Sequence, residues 1–138
     1  MQKLIKIYVD GSFNTQLKRA GWGVCVIEND TIIHEDCGIT EYIAESRNID
    51  GECEAAYKGI LWANENNVEA TIVYDYTGIF KWALGEWKAK KPVAKRYKRR
   101  IAKFLDLDKI NFEWVKGHTG CIGNERADKL AEQGKNKI

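Results

Sequence analysis

The sequence predicts an α/β fold: one five-stranded mixed sheet, three strands antiparallel and two parallel, flanked by helices. Three observations predict it. Apolar periodicity runs strand, strand, strand, helix, strand, helix, helix, strand, helix along the chain. Turn residues Asn29-Asp30 between the second and third strand-like runs suit an antiparallel meander. A strand-like run then follows a long helix, which reads as a crossover that returns parallel to the first strand.

The elements follow in order. Leu4 to Val9 is an apolar run that Asp10-Gly11-Ser12 stops with an acid. Gly11 to Ala20 is polar and reads as a loop, Gly21 to Ile27 alternates as a second strand, and Thr31 to Cys37 is a third. Thr40 to Asp50 is irregular. From Gly51 to about Asn66, the residues Cys53, Ala56, Tyr57, Ile60, Leu61 and Ala63 recur at helical spacing. Glu52 lies on that apolar side in the first turn, whereas Glu54 reads as a solvent-side acid. Ala70 to Tyr74 is a short buried strand ended by Asp75. A short helix over Thr77 to Leu84 stops at Gly85. The only proline, Pro92, precedes a helix over Val93 to Leu105 with Ile101, Phe104 and Leu105 inward. Ile110 to Val115 is the last strand, Gly117 to Gly120 a glycine-flanked loop, and Asn124 to Gln133 a helix that packs Ala127, Leu130 and Ala131.

The length of 138 residues suits a single domain over 1–138, with neither linker nor repeat. Net charge is only +2, but the basic residues gather between Lys81 and Lys103, interleaved with Trp82, Trp87 and Tyr97. Cys25, Cys37, Cys53 and Cys121 form no C-x-x-C pair, and His118 with Cys121 lacks two further zinc ligands. With no signal peptide and no spanning apolar run, the expectation is a cytoplasmic protein with reduced thiols and no membrane partner.

The chemistry lies in the acids. In a parallel crossover, Asp10 and Asp75 both end strands at the sheet edge where open α/β sheets bind ligands. Glu52 and Asp128 can be brought to the same edge. Each alone has an ordinary reading: Asp10 as a turn acid, Asp75 as a helix cap, Asp128 as a solvated helix acid. Together they form a cluster of like charge that is costly to ionise without a counter-charge. A hard divalent cation such as Mg2+ is the counter-charge that oxygen ligands favour, and two ions suit four carboxylates.

These residues carry a resemblance. Ile7-Tyr8-Val9-Asp10-Gly11-Ser12, Gly51-Glu52-Cys53-Glu54-Ala55-Ala56, Val73-Tyr74-Asp75 and Trp114-Val115-Lys116-Gly117-His118-Thr119-Gly120 through Asn124-Glu125-Arg126-Ala127-Asp128 resemble type 1 ribonuclease H. The likeness covers essentially the whole chain in the family's order. It implies a ribonuclease H-like sheet and metal-binding catalytic roles for Asp10, Glu52, Asp75 and Asp128. It further implies that His118 is a mobile histidine assisting proton movement or product release, and that Glu125 is an auxiliary acid. The implied cofactor is a pair of Mg2+ ions, with Mn2+ as a substitute. The implied partner is an RNA:DNA hybrid, cut on its RNA strand by a monomer with little sequence preference.

Telling RNA from DNA requires sensing the 2′-hydroxyl. Backbone amides around Gly11, Ser12 and Glu52, with Asn48, are the candidates. Ile49 departs from the second asparagine common in the family. Trp82 and Trp87 are similar to tryptophans near the family's DNA-phosphate channel, Lys88 belongs to the basic aromatic stretch that would grip the DNA strand, and Thr77 is placed to bind a phosphate. The Asp75-Tyr76-Thr77-Gly78-Ile79 stretch is similar to members carrying an N-terminal hybrid-binding module, which is expected to be absent here. Two other classes fit less well. An inactive binding module on this fold would not need all four carboxylates, and an integrase-like or junction nuclease would not carry the His118–Asp128 stretch.

Overall fold

The computed structural model describes residues 4–104, 109–116 and 121–137. Its strands are β1 (Ile5–Asn14), β2 (Arg19–Glu28), β3 (Thr31–Ile39), β4 (Ala70–Tyr74) and β5 (Ile110–Trp114). Its helices are α1 (Asn48–Glu65), α2 (Gly78–Ala83), α3 (Pro92–Ile101) and α4 (Ile122–Gly134). The strands form one sheet in the order β3-β2-β1-β4-β5. β1, β2 and β3 pair antiparallel, and β4 and β5 join parallel, as the crossover argument requires.

Alternation along the strands divides two cores. Ile5, Ile7 and Val9 of β1, Trp22, Val24 and Val26 of β2, and Ala70 and Ile72 of β4 face α1 and α3 in the larger core. Tyr8, Cys25 and Val73 face the other way, toward Ala127 and Leu130 of α4. Even-numbered β1 residues therefore look to the α4 side, and Asp10 continues that series.

Several boundaries differ from the sequence reading, each for a local reason. The stretch read as a loop after Asp10 is mostly strand: β1 runs to Asn14, paired with Arg19. The hairpin turn is confined to residues 15–18. There the Asn14 side chain accepts the amides of Gln16 and Leu17 at 3.0 Å each, and Lys18 takes a positive φ of 54°. Asp10 thus lies inside a strand instead of ending one. What ends beside it is the parallel pairing, since β4 accompanies β1 only from Lys6 to Tyr8. α1 begins at Asn48, earlier than expected, because the Asp50 carboxylate accepts the Ser46 amide at 2.7 Å and ties down the first turn. Glu52 consequently belongs to the second turn. α3 ends at Ile101; Phe104 packs half-buried on the core, and Leu105 falls outside the described residues. Leu61, assigned to the apolar stripe of α1, is half-exposed, whereas Ala55 and Gly59 are buried in its place.

Candidate active site

The site forms where β1 outruns β4. Continuing the Tyr8–Val73 register by two residues sets Asp10 opposite Asp75. The missing β4 partner leaves Asp10 open from both faces of the sheet. Asp128 approaches from α4 on one side and Glu52 from α1 on the other, and both side chains contact the Asp10 carboxylate. Gly11 makes the Glu52 approach possible. A methyl group there would run into the backbone of Asn48, Gly51 and Glu52, so only glycine lets α1 descend onto β1 at this point. Gly51 meets the Gly21 carbonyl with equal intimacy.

The four acids are linked pairwise: Asp10 to Glu52, Asp10 to Asp128, and Glu52 to Asp75. Glu52 is buried at 4% exposure, and its Oε1 faces the amides of Asp75 at 3.4 Å and Tyr76 at 3.5 Å. Burial, chiefly, raises the Asp10 pKa from 3.8 to about 6, with Asp128 adding to the rise while Glu52 and the Gly11 amide oppose it. Burial, then the charges of Asp10 and Asp75, drive that of Glu52 well above its ordinary value. The bond between the two lowers Asp10 and raises Glu52. Among the described residues no Lys or Arg forms an ion pair with any of the four.

That charge state is the test of a metal. Among the described residues no group of three or more acid, thiol or imidazole side chains is already set as a cage for an ion. The donors are nevertheless all carboxylate oxygens in overlapping pairs, with no cation side chain among the described residues to neutralise them. Such a set fits hard divalent ions that take a few protein oxygens and complete their shells with water and phosphate.

The remaining predicted residues fare differently. The Gly11 amide donates to its neighbour Asp10 Oδ1 at 2.8 Å, and the buried Ser12 hydroxyl donates to Glu132 at 2.8 Å. The Gly11 amide is thus already engaged by Asp10, while the Ser12 bond concerns its hydroxyl and not the backbone amide that the sequence singled out. Asn48 is exposed at the head of α1, and Glu125 is exposed in the first turn of α4. His118 lies outside the described residues. Thr77 is exposed at the N-cap of α2, but six residues make too short a helix for a substantial dipole, so the Thr77 hydroxyl is what it can offer.

Trp82 is buried at 6% exposure, with only a small part of its ring lining the surface. It backs Tyr76 (ring centroids 5.7 Å apart) and Trp87 (5.9 Å), and Trp87 is 40% exposed. These rings, with Ile49, floor a hollow of about 530 Å³ rimmed by Lys88 and Lys91. Tyr76 joins this hollow to the acids, since its amide, like that of Asp75, faces Glu52.

With this geometry the comparisons are decisive. The RNase H family model matches residues 2–136. The chain belongs to the RNase H family. Among its relatives, Ribonuclease H of Cyanothece sp. is 31% identical over 141 residues, spanning 94% of this chain and 87% of that one. RNase H1 of Halobacterium salinarum superposes with a TM-score of 0.77 at 23% identity, covering 94% of this chain and 96% of that one. LC11-RNase H1, solved in complex with RNA/DNA hybrid, superposes at 0.72 with 19% identity, over 94% and 97% of the two chains.

Within this RNase H fold, sequence reasoning missed a second set of buried charges. Glu54, read as a solvent-side acid, is buried at 6% exposure. It accepts Arg100 at 2.7 Å and the Tyr42 hydroxyl at 3.0 Å. One turn earlier the buried Asp50 carboxylate lies 3.7 Å from Arg96. Arg96 stacks over Tyr42 at 3.5 Å and Arg100 over Tyr57 at 3.9 Å. The available signal was spacing, for Asp50/Glu54 and Arg96/Arg100 are both i, i+4 pairs on helices that pack together. Two cations of the basic stretch are therefore engaged inside the protein.

Proposed function

We propose that this chain is an endoribonuclease that hydrolyses the RNA strand of RNA:DNA hybrids without sequence preference, using two Mg2+ ions that Mn2+ can replace. One observation carries the reading: Asp10, half-buried just beyond the end of the β4 pairing, contacts Glu52 and Asp128 and stands opposite Asp75. A set of carboxylates this crowded is costly to ionise alone and gains from cations.

Asp10, Glu52, Asp75 and Asp128 would hold the metal. When bound, the ions supply charge neutralisation at the scissile phosphate and an activated water. The protein's own work is placement. Asp10 is kept rigid by the Gly11 amide, and Glu52 by the second turn of α1. Loading the site requires its carboxylates to be ionised, which burial opposes at both Asp10 and Glu52. The hollow over Tyr76, Trp82 and Trp87 offers an aromatic surface beside the acids, and Lys88 and Lys91 offer phosphate contacts that carry no sequence information. Asn48 and Thr77, both exposed, remain available for hydrogen bonds to the strands.

The test is cleavage of end-labelled RNA:DNA hybrid, double-stranded RNA and double-stranded DNA, each with Mg2+ and with chelator. Cleavage confined to the RNA of the hybrid, and abolished by chelator, is the expected result. Hybrid binding without cleavage would replace this reading with an inactive binding module. Cutting of duplex DNA would point to a junction-nuclease chemistry.

A further inference from the structure

Trp114 ends β5 at the sheet edge, and its side chain is out of proportion to its packing. It is 55% exposed and belongs to neither core. Its indole N–H nevertheless donates to the Asp75 carbonyl at 2.8 Å. The neighbouring Val115 amide donates to the Tyr74 carbonyl at 2.8 Å, so the chain leaving β4 is held by β5 at two successive carbonyls.

That turn needs holding. Where the chain leaves β4 it passes Glu52, whose Oε1 faces the amides of Asp75 and Tyr76. The contact from the Asp75 amide to Glu52 Oε1 is 3.4 Å. That amide contact is too long to fix the turn by itself. The indole bond acts on the other peptide group of the same residue, from an edge strand fixed by its own ladder.

We propose that Trp114 is a positioning residue: its indole N–H holds the turn at Asp75 against Glu52, so that the Asp75 carboxylate stands ready for a divalent cation. This rests on the metal-dependent reading above and adds to it a residue that touches neither metal nor phosphate. Because the ring is mostly exposed, removing its N–H disturbs no core.

The test compares the wild type with Trp114→Phe, which keeps an aromatic ring and loses the donor, and with Trp114→Leu, which loses both. Two readouts are taken. One is the rise in Tm on adding Mg2+ without substrate, which reports metal binding by linkage. The other is hybrid cleavage as a function of Mg2+ concentration. Both variants should need about 3- to 10-fold more Mg2+ in each assay, the factor expected for one net hydrogen bond. Turnover at saturating Mg2+ and KM for hybrid should stay within about 2-fold of wild type. An unchanged Mg2+ requirement in Trp114→Phe overturns the proposal, including the case in which Trp114→Leu alone is impaired. A raised KM for hybrid with an unchanged Mg2+ requirement also overturns it, and makes the exposed indole a strand contact. Should the wild type bind Mg2+ yet cleave no hybrid, the nuclease reading fails while the Tm arm still decides the role of Trp114.

Discussion

Asp10→Asn should make the metal-free protein more stable while removing its activity. The Asp10 pKa rises from 3.8 to about 6 on folding, mainly through burial. A carboxyl with a raised folded pKa holds the fold best while protonated. That contribution is complete below about pH 4 and is lost as pH rises through about 6. At about 1.4 kcal/mol per pH unit, the loss reaches about 3 kcal/mol at neutral pH. Coupling to Glu52 divides this between two groups, so about 1–3 kcal/mol is expected for Asp10. An asparagine is isosteric and never ionises, so the variant escapes the loss.

For a chain of this length, 1 kcal/mol moves Tm by about 3–4 °C. Circular dichroism melts in chelator at pH 7.5 should place the variant about 4–10 °C above wild type, shrinking toward zero at pH 4, where Asp10 is protonated in both. Adding Mg2+ should narrow the gap at pH 7.5, because the ion stabilises only the protein that binds it. Hybrid binding in chelator should survive the change, while cleavage should not. A variant that melts at or below the wild-type temperature at pH 7.5 in chelator would refute the claim that ionising Asp10 costs the fold. A variant that cleaves at the native rate would remove Asp10 from the site.

Three further outcomes follow from the same coordinates. Arg100→Met leaves the buried Glu54 without its cation and should cost about 2–4 kcal/mol in urea unfolding, discounted because the Arg100 side chain is 29% exposed, whereas Glu54→Leu combined with Arg100→Met should recover much of the loss. Lys88→Ala and Lys91→Ala should each weaken hybrid binding and reduce the slope of log affinity against log salt by about 1, whereas affinity unchanged between low and high salt would exclude a phosphate contact at the aromatic hollow. At limiting Mg2+, activity should fall as pH drops through about 6, because protons on Asp10 and Glu52 compete with the ion; raising Mg2+ should restore it, and a fall that excess Mg2+ does not correct would place the controlling group elsewhere.

The fold was legible because its signals are local and repeated. Alternating residues such as Ile5, Ile7 and Val9 announce a strand, and a long apolar helix before Ala70–Tyr74 announces a parallel return. The boundaries that misled were those where polar residues occupy regular structure. Asn14 and Arg19 pair across a hairpin, so a stretch that composition marks as loop is ladder. Backbone pairing is blind to side-chain polarity, and an edge beyond the last parallel partner can be polar and still be strand.

The acids separate what sequence can and cannot say about a site. Asp10 and Asp75 are readable because strand register alone sets them opposite one another. Glu52 and Glu54 are two residues apart on one helix, both carboxylates and both buried, yet one meets Asp10 and the other meets Arg100 and Tyr42. Helical spacing puts them on different faces, but only the partner on each face distinguishes a repelled acid from a compensated one. Glu54 is met by a guanidinium and stabilises the docking of α3, while Glu52 is met by other carboxylates and destabilises the metal-free fold. A buried acid that meets other carboxylates is the feature to look for, because it stays ionised only where something beyond those carboxylates supplies a cation.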